Sequence, residues 1–355
     1  MTRFNLLAVL MLLWSCGEPI DPAQREWIPD QDAPPGEVAG HPDGKRAPCH
    51  VVFYNVENLF DTKDDPGFGD DDFAPDGKLQ WTKERYDRKL HQLAEAVSMA
   101  GEELPVMIGL CEVENKNVVE ALAKTPPLDR ANYLVVHQDS PDERGIDVAL
   151  LVDRKRALVG ETVWLTVDLG TDHTRDILHA TVELKGSGPI EVFVNHWPSR
   201  REGETESAPK RMVAARTLSN EVNRIRNSGP GTGIIIMGDL NDGPLDASLT
   251  EGLHTADPRR DLHDYLYELM QADEQEPKGS INFQGKWEYF DHFIVNRPMM
   301  HMLPNAWAEW ASSVKDPRLI FHHPKYGDQP NRTFSGTKYH KDGYSDHLPV
   351  VLRLE

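Results

Sequence analysis

Ile234-Ile235-Ile236-Met237-Gly238-Asp239-Leu240-Asn241-Asp242 is the stretch on which the fold class turns. Four large apolar residues followed by a glycine and acids read as a buried strand that stops at a polar edge. Side chains alternate along a strand, so Asp239 and Asn241 are expected on one side of its end. Ile108-Gly109-Leu110-Cys111-Glu112 repeats the design, and Glu112 would be costly to bury unless paired or bound to a cation. Asn55-Val56-Glu57 closes an earlier strand, with Asn55 and Glu57 expected on the same face. Asn195-His196 ends another strand, Phe290-Asp291-His292-Phe293 sets an acid among aromatics, and Ser345-Asp346-His347-Leu348-Pro349 leads into the last strand.

Outward from these ends, short β-branched runs bounded by turn residues predict strands over 50–56, 106–113, 133–136, 147–152, 163–167, 177–184, 190–196, 234–238, 290–295 and 348–354. Helical spacing of Tyr86, Leu90, Leu93, Ala94 and Val97 predicts a helix after Thr82 that Gly101 stops. A second follows Ser207, on Met212, Ala215, Leu218, Val222 and Ile225. Strands interspersed with helices and no second linker argue one α/β domain over 48–355.

The 355-residue chain carries Lys+Arg 38 against Asp+Glu 58, a formal charge of −20. Bulk attraction for a polyanion is excluded, so a phosphate-bearing substrate needs a local basic pocket or metal ions. Arg3 and the apolar run Phe4–Trp14 read as a signal peptide over 1–16, since the run falls short of the ~20 residues of a membrane span. Cys16 at its end is similar to a lipoprotein lipidation site, which implies an extracytoplasmic, lipid-anchored protein whose only membrane contact is that anchor; ordinary secretion, with Cys16 incidental, is the alternative. Residues 17–47, rich in proline and glycine, read as a tether. The acids from Asp61 to Asp76 lack the register of an EF-hand and read as a solvated loop.

An acid after a buried strand is ordinarily a cap or turn residue. Repetition of acids, amides and histidines at strand ends is another matter, because such ends converge on one edge of a sheet. Oxygen donors from Glu112, Asp239, Asn241, Asp346 and Glu57 suit a hard cation such as Mg2+ or Mn2+, and zinc would want more His or Cys. Two histidines then remain for proton transfer and charge neutralisation.

The ordered set Asn55-Val56-Glu57, Glu112, Asn195-His196-Trp197-Pro198-Ser199, Gly238-Asp239-Leu240-Asn241, Phe290-Asp291-His292 and Ser345-Asp346-His347 resembles the endonuclease/exonuclease/phosphatase superfamily. DNase I, abasic endonucleases, inositol-polyphosphate 5-phosphatases and neutral sphingomyelinases belong to that group. Asn55–Asp61 and Asn195–Arg200 look like a secreted bacterial subgroup. The resemblance implies a four-layer α/β sandwich, two mixed sheets face to face with helices outside, and Mg2+-dependent phosphoester hydrolysis. It implies Glu112 as principal metal ligand, with Glu57, Asp346 and Asn55 in support. Asp239 would orient or deprotonate water, Asn241 and Asn195 would hold phosphate oxygens, and His347, fixed by Asp291, would contact the scissile phosphate. His196 would be the second catalytic histidine, with Glu143 or Asp147 as its acidic partner, and Arg175 matches a phosphate-binding arginine.

Adjacent residues of a regular strand point to opposite faces, so Asp346 and His347 can share a site only at an irregular lead-in, which Gly343 would permit. With the first two strands parallel, Cys49 lies roughly 16 Å along the sheet from Cys111, against the ~5.5 Å a disulfide needs, so both are expected to be free, buried thiols. Arg200, Arg201, Lys210, Arg211 and Arg216, with Lys338, His340 and Lys341, are basic clusters that fit a groove tracking a strand of nucleic acid. The expected activity is therefore that of a monomeric nuclease of low sequence specificity. A phosphatase or a phospholipase C-type phosphodiesterase is the alternative, because the motifs grip the scissile phosphate and not its leaving group. A non-catalytic binding module is disfavoured, since every motif position holds a competent residue.

Overall fold

Alternation along each apolar strand serves two cores at once. Ile235 and Met237 face a cluster with Val51, Phe53, Met107, Cys111, Leu178, Val192, Val194 and Phe293. Ile234 and Ile236 face the opposite way, into a cluster with Ala214, Ala215, Leu218 and Val222. A strand apolar on both faces must be covered on both faces, which is the condition for a layered α/β arrangement.

The computed structural model describes residues 48–355 apart from 66, 230, 261, 263, 264 and 274–277. The signal segment with Cys16 and the 17–47 tether lie outside the described residues. In chain order the strands are β1 (Cys49–Leu59), β2 (Met107–Val113), β3 (Tyr133–His137), β4 (Asp147–Asp153), β5 (Ala157–Leu165), β6 (Ile177–Leu184) and β7 (Pro189–His196). They continue with β8 (Gly233–Asp239), β9 (Thr255–Ala256), β10 (Leu266–Glu268), β11 (Asp291–Val295), β12 (Ala311–Ser313) and β13 (Val350–Leu354). A six-stranded sheet has the order β12-β13-β1-β2-β4-β3, and a seven-stranded sheet the order β5-β6-β7-β8-β11-β10-β9. Both are mixed: β1 runs parallel to β2 and β7 parallel to β8, flanked by antiparallel neighbours.

Helices α1 (Lys83–Ser98) and α2 (Lys116–Ala123) cover the outer face of the first sheet, packing Leu90, Leu93, Val97, Val118 and Leu122 on Val52, Tyr54 and Ile108. Helix α3 (Glu204–Ser228) covers the second. The result is the four-layer sandwich the resemblance implied. Thr82 caps α1, its hydroxyl accepting from the Arg85 amide at 3.4 Å. The α3 helix begins three residues before Ser207, directly after Gly203, whose φ of +111° suits glycine. Helix α2 was not expected, because eight residues show too few turns for a period. Three hairpins, pairing 281–283 with 286–288, 320–323 with 327–330 and 334–335 with 338–339, were also missed. Their strands are too short for alternation to register.

Between the sheets, a Cβ on Gly109 would lie 2.7 Å from Met237 Sδ, so a side chain there would have to push that thioether aside. Cys49 and Cys111 form no disulfide; Cys111 is buried, whereas Cys49 is only half-buried because it lies at the sheet's far end. The acidic loop is less solvated than expected: Asp70 is buried, its carboxylate accepting the Asp65 amide at 2.9 Å. Among the described residues no helix is long and apolar enough to cross a membrane.

Candidate active site

Parallel strands end together. Register pairs Asn55 with Cys111 across β1 and β2, His196 with Asp239 across β7 and β8, and Asp239 with Asp291 across β8 and β11. The backbone leaves regular geometry where these strands finish. Glu57, Asn58, Glu112 and Asn241 have φ of 50°, 57°, 62° and 52°, a left-handed conformation that costs about 1–3 kcal/mol per non-glycine residue. Local hydrogen bonds hold it: the Asn58 amide donates to Glu112 Oε2, the Asn241 amide to Asp239 Oδ1 and the Glu57 amide to Asn55 Oδ1, each at 3.0 Å.

Register shifts accompany this strain, between Asn55 and Leu59 on β1 and between Cys111 and Val113 on β2. Strict alternation would turn Glu112 away from Cys111 and out of the inter-sheet space. The irregularity instead brings Glu112 Oε1 to 3.9 Å from His196 Nε2, across the gap between sheets. Asp346 and His347 likewise share the edge because regular pairing of β13 starts only at Val350, and His347 makes a single bridge to Ile281. Gly343 contributes room, not a left-handed turn: a Cβ there would meet Arg332 O at 1.9 Å.

Asp239 is the hub. Its carboxylate accepts Asn55 Nδ2 at 3.0 Å and lies 3.8 Å from both His196 Nε2 and His347 Nε2. The far nitrogen of His347, Nδ1, meets Asp291 Oδ2 at 2.6 Å. Burial alone would disfavour a charged His347, but the Asp291 and Asp239 carboxylates override it and raise its pKa well above the usual imidazole range. Burial, with Arg175 and Arg144 nearby, drives His196 well below that range. One histidine is therefore a cation and the other a neutral base at neutral pH, the separation expected of an acid and base working together. Burial also pushes the Asp239 carboxyl up to about 7, Asp291 adding to the effect and His347 opposing it.

The donor atoms fit a hard divalent cation. Ligand atoms of Asp239, Asp291 and His347 lie within 4.8 Å of one another, as do those of Cys111, His196 and Asp239. Burial raises the Cys111 thiol well above its ordinary pKa, so no thiolate is on offer and the useful donors are oxygens. Glu112, with Oε1 left over after its Oε2 accepts the Asn58 amide, would hold the ion, with Asn55 beside it.

Glu57 does not converge on Asp239. Its carboxylate accepts the amides of Thr333 at 2.6 Å and Phe334 at 3.1 Å, so it fastens the loop before His347. Burial, then the neighbouring Asp346, pushes its pKa up to about 7, while Lys89 opposes. Lys89 is the residue that sequence reasoning missed. It is buried, donates to Thr333 Oγ1 and Tyr344 O at 2.6 Å each, and faces the charges of Glu57, Asp346 and Glu112. A lysine on the apolar face of α1, next to Leu90, was the signal available.

Three further expectations are corrected. Asn195 is wholly buried, its amide donating to Met237 O and accepting from Trp197 Nε1, so it presents nothing to a phosphate. Arg175 is buried and donates to His196 O, Trp197 O and Asp142, which makes it a brace for the end of β7. Neither Glu143 nor Asp147 partners His196: Asp147 bonds His137 and Ser140, and His196 Nδ1 has no hydrogen bond. Asn241 donates Nδ2 to Trp197 O, keeping one N–H and its carbonyl oxygen for other partners. The basic stretch is also no groove. Arg200 and Arg211 pair with Asp242 in the interior, and Lys210 pairs with Asp172 and Glu202, leaving Arg201 and Arg216 exposed.

A two-sheet sandwich whose edge gathers acids and histidines from both sheets around Asp239 defines a class of phosphoester hydrolases that depend on divalent metals. The chain belongs to the endonuclease/exonuclease/phosphatase family, whose model matches residues 50–355. No curated protein sequence matches it. Among solved structures it is similar to the human Nocturnin catalytic domain with bound sulfate, at 15% identity and TM-score 0.51, covering 87% of this chain and 94% of that one. A humanized TDP2 from D. rerio, at 15% identity and TM-score 0.53, matches 87% of this chain and 99% of its own. The Bacteroides thetaiotaomicron mannosyl-6-phosphatase, also at 15% and 0.53, matches 86% and 99%. At such identities the likeness establishes the fold alone.

Proposed function

We propose that the protein is a phosphodiesterase dependent on Mg2+ or Mn2+ that cleaves nucleic acid with little sequence preference, outside the cytoplasm, anchored through a lipid on Cys16. One observation carries the chemistry: Asp239 stands 3.8 Å from both His347, which Asp291 pairs, and His196 at the edge where Glu112 arrives. A bound divalent ion would neutralise the scissile phosphate and polarise its bonds. Asp239, held by Asn55 and Asn241, orients the attacking water and takes its proton. His347, charged and fixed by Asp291, donates to a phosphate oxygen as negative charge builds there. His196, uncharged, remains able to accept or relay a proton. The likeness to the mannosyl-6-phosphatase supports a second reading, a phosphatase acting on a sugar phosphate.

Purified mature protein incubated with single-stranded DNA, RNA, bis-p-nitrophenyl phosphate, a sugar phosphate and sphingomyelin separates the readings. Cleavage of nucleic acid and the small diester, abolished by a chelator and restored by Mg2+ or Mn2+, is the expected result. Turnover of phosphomonoesters alone would replace the nuclease reading with the phosphatase one, and full activity after chelation would remove the metal. For the anchor, Cys16→Ser should move the protein from the membrane to the soluble fraction. Continued membrane association of the processed variant would sink the lipid assignment.

A further inference from the structure

Beside the hydrolytic centre lies a cleft of about 240 Å3 whose walls include Phe283, Phe321, Tyr326, Asn331 and Arg332. We propose that this cleft is a subsite for one unpaired nucleobase of the substrate strand, with aromatic faces stacking on the base and Arg332 holding a flanking phosphate. This deepens the nuclease reading and rests on it.

The aromatic surface is the first support. Phe283 is 68% exposed and Phe321 44%, and both line this one cleft. Large apolar side chains left open to water around a concave site mark it as a binding surface. Tyr326 is already half of a stack, its ring 4.9 Å from that of His323, so a flat face is preformed there.

Arg332 is the second. It is half-buried, and no hydrogen bond or ion pair is formed by it among the described residues. In a chain with twenty more acids than bases, an arginine left without a carboxylate is a site for an anion brought from outside. Lys338 and Arg332 both add positive potential at His340, another residue of the lining.

Connection to the centre is the third. Phe283 lies two residues beyond Ile281, which bridges His347. Arg332 directly precedes Thr333, whose amide Glu57 holds and whose hydroxyl Lys89 holds. Contents of the cleft are thus tied through short, rigid links to the phosphate site. The lining amides are largely spent on the protein itself, Asn282 on Asp328 O, Gly285 and Gln329, and Asn331 on Arg318 O and Asp342 O. Recognition therefore falls to the aromatic faces and Arg332, a pairing that suits a flat base with its phosphate and not an acyl chain. A base inside a duplex cannot offer its face, so the occupant is single-stranded.

The test compares wild type, Phe283→Ala/Phe321→Ala and Arg332→Gln on a short single-stranded oligonucleotide, an abasic strand of equal length and bis-p-nitrophenyl phosphate. Wild type should favour the oligonucleotide over the abasic strand by about tenfold or more in kcat/KM, the scale of one stacked base. The double variant should erase that ratio by raising KM, and Arg332→Gln should raise KM for both strands. The small diester should be turned over unchanged by all three, and the exposed phenylalanines make an unaltered melting temperature the control for folding. An unchanged base preference in the double variant, or equal losses on all substrates, overturns the subsite and leaves the nuclease reading intact. A wild type that cuts the small diester or a sugar phosphate but no strand overturns both.

Discussion

Asp291→Asn is expected to lower kcat on any phosphodiester by roughly 10³-fold, within the range for a lost acid–base partner. Asp291 is fully buried, and its Oδ2 lies 2.6 Å from His347 Nδ1. An amide in its place can donate to that nitrogen, which would leave the proton on the wrong side of the ring. The pH profile should shift with a definite sign. His347 owes its raised pKa to Asp291 first and Asp239 second. Removing the nearer anion makes the imidazolium easier to deprotonate, so the alkaline limb of kcat should move down toward the ordinary ~6.5 of histidine. A rate profile that keeps its alkaline limb would show that His347 is not the group being titrated.

The second large effect is on stability. Arg211→Met should destabilise the fold by about 3 kcal/mol, near the lower end of what breaking a buried ion pair costs. Arg211 is wholly buried, pairs with Asp242 at 2.6 Å and donates to Ser207 Oγ and Glu204 O within its own helix. Arg200 still faces Asp242 at 2.9 Å, which is why the loss stays at that end. Urea unfolding measures it directly, and a change below 1 kcal/mol would mean that Asp242 is satisfied without Arg211. Methionine keeps the stem, so the void left is only that of the guanidinium end and the lost ion pair dominates.

Most of the layered fold was legible because unbroken apolar runs bounded by turn residues are a strong signal, as in β2 and β8. Strict alternation misled at the strand ends. It put Asn55 and Glu57 on one face, whereas left-handed backbone at Glu57 and Asn58 sends the Asn55 amide to Asp239 and the Glu57 carboxylate to the 333–334 amides. Sequence patterns carry residue type and spacing, and neither reveals a non-glycine residue forced to positive φ. Arg175 and Arg200 were misread for a different reason. A guanidinium with long reach looks the same in sequence whether it turns to solvent or to a carbonyl, and only the positions of His196 O and Asn241 O decide. The convergence of Glu112, Asp239, Asp291 and His347 on one edge was readable because each stands at or near the end of a recognisable strand.

The centre has no owner among the sheets. Asn55 and Glu112 belong to one, His196, Asp239 and Asp291 to the other, and His347 to the lead-in of β13, so the spacing between the sheets sets the distance from Glu112 to His196. Deep in the interior that spacing is packed by Gly109 against Met237, where a methyl group at 109 would have to push the Met237 thioether aside. Drift at these two positions is consequently coupled: a larger residue at 109 displaces the Met237 thioether, and a smaller one at 237 relieves that displacement. Neither touches the reacting atoms, yet the pair acts as a spacer that calibrates them, and its history in related chains should read as compensated exchange.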